Sequence, residues 1–181
     1  NYLKIPRSSK VIDLACGKGR HSVFLNQMGY DVLGLDLSKE SILNNKQFEN
    51  STLKFDVHDM REEIFPEISN EKADAVLNLF TSFGYFENIE DDQNVFQSIS
   101  NILKENGFFV LDFLNENWVQ STLIPENVVT KSGIDFHISK RIENLNIIKD
   151  IRFEDKGEKY HFYEKVKLHT LETIENYASE C

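Results

Sequence analysis

A glycine-containing loop joins an apolar run to an amphipathic segment near the start of the chain, at Asp13–Arg20. Gly17 and Gly19 carry no side chain where the backbone has to turn and can approach a ligand closely. The following helix presents unpaired backbone amides, and its dipole favours an anion such as a carboxylate. Asp13 lies inside the apolar run, so its charge requires a donor or a ligand cation. The alternative is a tight strand-to-helix turn with a satisfied aspartate.

Polar side chains also follow the next three apolar runs of the chain. Asp36 ends the second run, where a carboxylate can accept both hydroxyls of a ribose, although a dinucleotide-binding protein uses the same device. Asp59 follows the third run and can accept from an exocyclic amine, or it is an exposed turn residue. Asn78 ends the fourth run and can face a ligand, or it is a buried structural amide.

The segments that position these residues alternate between strand-like and helix-like patterns. Mostly apolar strands separated by amphipathic helices predict an α/β fold, with a Rossmann-like, doubly wound, mostly parallel sheet covered on both faces. Functional residues are then expected at the carboxyl ends of the strands, near a topological switch point. The predicted strands begin near residues 11, 31, 53, 73 and 108.

The hydrophobic period changes after Asp135, where apolar and polar residues begin to alternate. Asp155-Lys156-Gly157 is a hairpin turn signal, and the flanking pattern predicts a three-stranded antiparallel β insert. We therefore expect a Rossmann-like core over residues 1–134, the β insert over 135–170, and the start of a further core helix over 171–181.

Composition excludes several classes of protein. The formal net charge of -10 disfavours a nucleic-acid partner. No apolar run approaches the roughly 20 residues that a membrane-spanning helix needs. Two cysteines give no disulfide framework, which favours a reducing compartment and predicts a cytoplasmic protein. The five histidines form no cluster with cysteine, so no metal site is predicted.

The combined pattern resembles a class I S-adenosylmethionine-dependent methyltransferase, in particular a bacterial small-molecule subgroup with an antiparallel insert after the fifth strand. The resemblance spans about residues 10–115 in family order. The segments that carry it are Asp13-Leu14-Ala15-Cys16-Gly17-Lys18-Gly19-Arg20-His21, Gly34-Leu35-Asp36-Leu37-Ser38, Asp59-Met60-Arg61, Asn78-Leu79-Phe80-Thr81-Ser82-Phe83-Gly84-Tyr85 and Gly107-Phe108-Phe109-Val110-Leu111-Asp112.

The resemblance implies a cofactor, S-adenosylmethionine, and a role for each matching position. The loop around Gly17 would hold the methionine part, Asp36 the ribose hydroxyls, and Leu37 and Asp59 the adenine, while Asn78 would border the sulfonium. The complete set of implied cofactor-binding residues is Asp13, Ala15, Gly17, Gly19, Arg20, Asp36, Leu37, Asp59, Met60, Asn78 and Leu79.

Candidates for the acceptor side follow the fourth and fifth strands: Tyr85, Asn115 and Trp118. Tyr85 can hydrogen-bond or stack near the methyl group, or it packs in an aromatic cluster. Trp118 either lines the substrate pocket or is a core residue. Further polar residues of the insert either face a pocket or form a solvated sheet face. They are His137, Arg141, Arg152, His161 and Tyr163.

The sequence thus predicts an enzyme that transfers a methyl group to a small molecule. The alternatives are a non-catalytic module that binds the same cofactor and an NAD(P)-dependent oxidoreductase, although Ser22 stands where the latter needs a third small glycine or alanine. The family adds two further strands after those predicted here, so we expect a truncated chain or an incomplete sheet. Self-association would then use the β insert or the exposed sheet edge.

Overall fold

A computed structural model describes residues 5–181, which fold into two compact units. The first unit contains residues 5–82, Asn88–Phe113 and Tyr177–Cys181, and the second contains Phe83–Glu87 and Leu114–Asn176. Within residues 5–181, no helix has the length and apolar character needed to cross a bilayer.

A parallel sheet with flanking helices forms the first unit. The strands lie in the order β3-β2-β1-β4-β5, and each neighbouring pair is parallel. The order reverses between β1 and β4, which is where sheets of this type form a ligand crevice at their carboxyl ends. The elements are β1 (Lys10–Leu14), α1 (Arg20–Gln27), β2 (Asp31–Asp36), α2 (Lys39–Asn45), a 3₁₀ turn (Lys46–Phe48), β3 (Leu53–Val57), β4 (Ala73–Asn78), α3 (Ile89–Ile102) and β5 (Leu103–Leu111). The predicted fold class is confirmed.

The central strand β1 is apolar at three of its five positions, and those three side chains are buried. Val11, Ile12 and Leu14 are each at most 2% exposed. Such side chains stabilise the fold by about 1.5–3 kcal/mol each when fully buried. Two residues of the strand are polar: Lys10 at its start, which is partly exposed, and Asp13, which is as buried as the apolar residues.

Gly34 of β2 lies where α1 packs against the parallel sheet. A Cβ at this position would lie 2.5 Å from Cδ1 of Phe55 and 2.9 Å from Oγ of Ser22. Ser22 belongs to α1 and is fully buried, and Gly34 pairs with Asp13 of β1. The missing side chain of Gly34 therefore allows α1 to lie against the sheet beside Asp13.

The second unit is built on an antiparallel sheet in the order β6-β7-β8-β9. Its elements are α4 (Glu116–Thr122), β6 (Glu126–Lys131), β7 (Ile134–Glu143), β8 (Asn146–Asp155) and β9 (Glu158–Lys167), and α5 (Leu171–Ser179) follows them. Lys156 and Gly157 both have positive φ in the predicted β8–β9 turn, as a type I′ hairpin requires. The sheet has four strands and not the three predicted. The additional strand, Glu126–Lys131, precedes the predicted insert and pairs with β7.

We expect Gly34→Ala to lower the free energy of unfolding by about 1–3 kcal/mol, since overpacking forces side chains from their preferred positions. Urea denaturation measures the change. The control is the same substitution in a Phe55→Leu background, where the ring that meets the new methyl group is gone. Its cost should be smaller there, and an equal cost in both backgrounds would show that the contact with Phe55 is not responsible.

Candidate functional site

The loop between β1 and α1 has a left-handed backbone. Ala15, Gly17 and Gly19 have φ values of 62°, 53° and 70°. A Cβ at Gly19 would lie 2.9 Å from the Phe55 ring, whereas one at Gly17 would meet nothing within 4 Å. Asn45 of α2 donates to the carbonyl of Gly17 at 2.8 Å and fixes the loop. Gly19 is thus required by packing, while Gly17 faces open space in which a ligand can approach the backbone.

The Asp36 carboxylate lies at the carboxyl end of β2 and bonds to this loop. Its Oδ2 accepts from the amide of Gly17 at 2.7 Å, and its Oδ1 accepts from the amide of Ser38 at 2.8 Å. Ser38 also caps α2 through its hydroxyl, as its sequence position predicts. Each carboxylate oxygen retains a lone pair that can accept from a ligand hydroxyl. Leu37 beside it is 68% exposed.

Asp13 is buried at the end of β1 and accepts a hydrogen bond from the hydroxyl of Ser22 at 2.5 Å. Burial raises the pKa of this carboxyl, while the Ser22 bond opposes the change. The neighbouring Cys16 thiol has its pKa raised to about 12 by burial and by the charges of Asp13 and Asp36. A thiol with that pKa stays protonated near neutral pH, so Cys16 is not a nucleophile.

Asp59 and Arg61 form a bidentate pair after β3. Nε of Arg61 donates to Oδ1 at 3.0 Å, and Nη2 donates to Oδ2 at 2.6 Å. These bonds lower the pKa of the Asp59 carboxyl. The Asp59 carboxylate, predicted to accept from an exocyclic amine, is therefore oriented by Arg61. Met60 lies between these two residues in the chain and is half-buried.

Asn78 ends β4 and presents a buried acceptor without a partner. Its Nδ2 donates to the carbonyl of Leu14 at 3.1 Å, which connects β4 to the end of β1. Its Oδ1 has no hydrogen-bond partner among residues 5–181, although the side chain is 1% exposed. Leu79 turns away from Asn78, into an apolar groove with Leu25 and Val110. An unsatisfied buried amide oxygen is unusual and suits a ligand donor.

The candidates for the acceptor side lie in the second unit. Tyr85 is half exposed, and burial, with the charge of Glu164, raises the pKa of its phenol. The side chain of Asn115 caps α4 by accepting from the amide of Trp118 at 2.9 Å. Trp118 is 68% exposed, so it is not a core residue.

The polar residues of the antiparallel sheet share one face, as their strand register requires. Sequence reasoning missed the residue that organises them. Asp150 is buried and accepts from Arg141 at 2.8 Å and from His161 at 2.7 Å. The bond from His161, followed by that from Arg141, lowers the pKa of the Asp150 carboxyl. His137 pairs with Arg152 across the β7–β8 ladder.

The structure brings the loop at Gly17, the carboxylate of Asp36 and the amide of Asn78 to the carboxyl edge of the parallel sheet. Their properties fit a cofactor that joins an amino acid to a nucleoside: open space at a loop backbone, a carboxylate with free lone pairs, and an orphaned amide oxygen. Ser22 and Asn45 also support the loop but were not predicted. Their side chains act across the fold, and the only sequence signal was a polar residue within an amphipathic helix.

Residues 5–167 match the family model described as Methyltransferase domain. The chain belongs to the methyltransferase domain family. It is a class I S-adenosylmethionine-dependent methyltransferase in family and fold. YqeM of Bacillus subtilis is 26% identical over 182 residues, which cover 96% of this chain and 71% of that protein.

Two further proteins are similar to this methyltransferase, one in sequence and one in fold. The glycine/sarcosine N-methyltransferase of Aphanothece halophytica is 34% identical over 117 residues, which cover 62% of this chain but only 43% of that protein. S-adenosylmethionine-bound CalS10, an amino pentose methyltransferase from Micromonospora echinaspora, has the same fold. It aligns with a TM-score of 0.76 at 17% identity, over 96% of this chain and 74% of its own.

The buried charge of Asp13 predicts a pH dependence of stability. Asp13→Asn keeps the side-chain shape and an acceptor for Ser22 but cannot ionise. Burial raises the pKa of Asp13 in the folded state above the ordinary value of 3.8, so protonation of this carboxyl stabilises the folded state. This stabilisation is complete below pH 3.8. The stabilisation is lost as pH rises through the folded-state pKa. The free energy of unfolding of the wild type should therefore fall relative to that of Asp13→Asn as pH rises.

Urea unfolding of both proteins from about pH 4 to about pH 7 measures this difference. A constant difference in the free energy of unfolding across that range would contradict the assignment. Asp74→Asn is a suitable control, since the bonds to Lys104 and Lys10 leave the pKa of Asp74 lowered despite its partial burial. Its stability contribution should change with pH in the opposite direction.

Proposed function

We propose that this chain transfers a methyl group from S-adenosylmethionine to an amine of a small molecule. The single observation that carries the cofactor assignment is the arrangement around Asp36, whose carboxylate is held by the Gly17 amide at 2.7 Å beside the open side of the loop. The acceptor class is supported by the named acceptors of the relatives, glycine or sarcosine and an amino pentose.

Each site residue binds a different part of the proposed cofactor. Asp36 accepts from the ribose hydroxyls through its free lone pairs, as a carboxylate at the end of a second parallel strand does. The loop at Gly17 and the first amides of α1 receive the carboxylate of the amino-acid part. Oδ1 of Asn78 accepts from a donor of the cofactor, which satisfies its buried oxygen. Asp59, oriented by Arg61, faces the adenine.

The proposed reaction is an in-line displacement. When bound, S-adenosylmethionine supplies an electrophilic methyl group, so the protein's contribution is to bind and orient the two reactants. A neutral amine already carries its lone pair and needs no general base in the displacement itself, whereas an alcohol would need one. Cys16 provides no competing nucleophile, because its thiol remains protonated.

Two measurements test this function. S-adenosylhomocysteine at about 100 times its Kd should stabilise the protein by about 2.7 kcal/mol, and NAD should not. Radiolabelled methyl transfer should then be detected with small amines and not with the matching alcohols. Stabilisation without transfer to any acceptor would instead indicate a non-catalytic module, and preferential transfer to alcohols would contradict the amine assignment.

Asp36→Ala should weaken binding of S-adenosylmethionine by about 1–3 kcal/mol, because charged hydrogen bonds to the ribose are lost. Titration calorimetry measures the affinity. The matched control is Asp31→Ala, which removes a carboxylate from the opposite end of the same strand. Unchanged affinity in Asp36→Ala, or an equal loss in both variants, would show that the ribose does not bind at Asp36.

A further inference from the structure

Phe80 presents an exposed aromatic ring at the carboxyl edge of the parallel sheet. The residue follows β4, and its side chain is 66% exposed. Its ring stacks on the imidazole of His21 with centroids 5.1 Å apart, and the guanidinium carbon of Arg20 lies 4.8 Å from the ring centroid. Both partners belong to the first turn of α1, directly after Gly19. The ring therefore lies beside the loop and already holds a cation against its π-face.

The backbone that carries this ring is strained. Phe80 and Thr81 have φ values of 61° and 55°, a left-handed conformation that non-glycine residues rarely adopt in succession. Asp112, just after β5, holds the segment in place. Its carboxylate accepts from the amide of Phe80 at 3.2 Å, and its carbonyl accepts from the amide of Thr81 at 3.0 Å. The surrounding structure thus fixes a conformation that sequence preference alone would not produce.

The covalent structure of the cofactor relates its sulfur atom to the position of Phe80. The sulfonium sulfur joins the ribose to the amino-acid part. If Asp36 holds the ribose and the loop with the α1 amides holds the amino acid, the sulfur lies between them, near the start of α1. Phe80 contacts that same start of α1.

We propose that the Phe80 ring is a cation-binding face for the sulfonium of S-adenosylmethionine, which it favours over the uncharged thioether of S-adenosylhomocysteine. This inference rests on the proposed function. Arg20 lies over the face on an exposed side chain whose Nη2 is also 3.3 Å from Nε2 of His21, and the proposal requires a bound cation to displace this side chain into solvent. Aromatic faces suit weakly hydrated onium ions of this kind. The ring consequently acts as a specificity residue that helps the enzyme release its product.

The test compares the affinities of the two ligands, measured by titration calorimetry without acceptor. Phe80→Leu removes the π-face and keeps an apolar side chain, and Phe80→Tyr keeps the face. The matched control is Phe24→Leu, the same change at another exposed aromatic of the first unit, which lines the apolar groove. Incorporation of a ring-fluorinated phenylalanine at position 80 preserves shape while weakening the π-face, which keeps the test valid if Phe80→Leu does not fold.

We expect Phe80→Leu to weaken binding of S-adenosylmethionine by about three- to ten-fold and to leave that of S-adenosylhomocysteine within about two-fold. The fluorinated variant should change in the same direction, and Phe80→Tyr and Phe24→Leu should preserve the wild-type ratio. An equal change for both ligands, or an unchanged ratio in the leucine and fluorinated variants, would overturn the proposal while leaving the proposed function intact. Wild-type protein that binds neither ligand would overturn both.

Discussion

The buried hydrogen bond from Ser22 to Asp13 is the interaction on which the rest of the site depends. It joins α1 to β1 across the glycine loop, and it partly compensates a carboxylate whose burial without a donor would cost several kcal/mol. Ser22 reaches Asp13 because Gly34 leaves the space for it. Contacts beneath the loop therefore hold the start of α1 against β1.

The same principle applies to the other carboxylates of the site. Asp36 is oriented by two backbone amides and Asp59 by a guanidinium, so each acid is fixed by a protein donor. Preorganised acceptors lose little conformational freedom on binding, which leaves more of the interaction energy for affinity. Asn78 differs from them, since its buried oxygen has no donor within residues 5–181, and an acceptor left unpaired costs about 1–3 kcal/mol, which a ligand donor would recover.

Much of this architecture is encoded locally and could be predicted from the sequence. Buried parallel strands are continuous apolar runs, the glycine loop lies between strand and helix, and Ser38 and the Lys156–Gly157 turn carry standard capping and hairpin signals. The fourth antiparallel strand, the Arg61 pair and the network at Asp150 depend on tertiary pairing. The left-handed backbone at Phe80 is imposed by Asp112, 32 residues away, and no local preference indicates it.

These features also determine how the site can distinguish charged ligands. Burial, together with the charges of Asp13 and Asp36, raises the pKa of the Cys16 thiol, so these two carboxylates disfavour a negative charge at Cys16 itself. The attraction of carboxylates for a cation falls slowly with distance, so it would act on the ammonium and on the sulfonium of the proposed cofactor alike and would discriminate poorly between their positions. An aromatic face acts only within about 6 Å of its centroid. The segment after β4, which Asp112 holds in place, thus adds the short-range, position-specific ring face of Phe80 to the general attraction of the carboxylates.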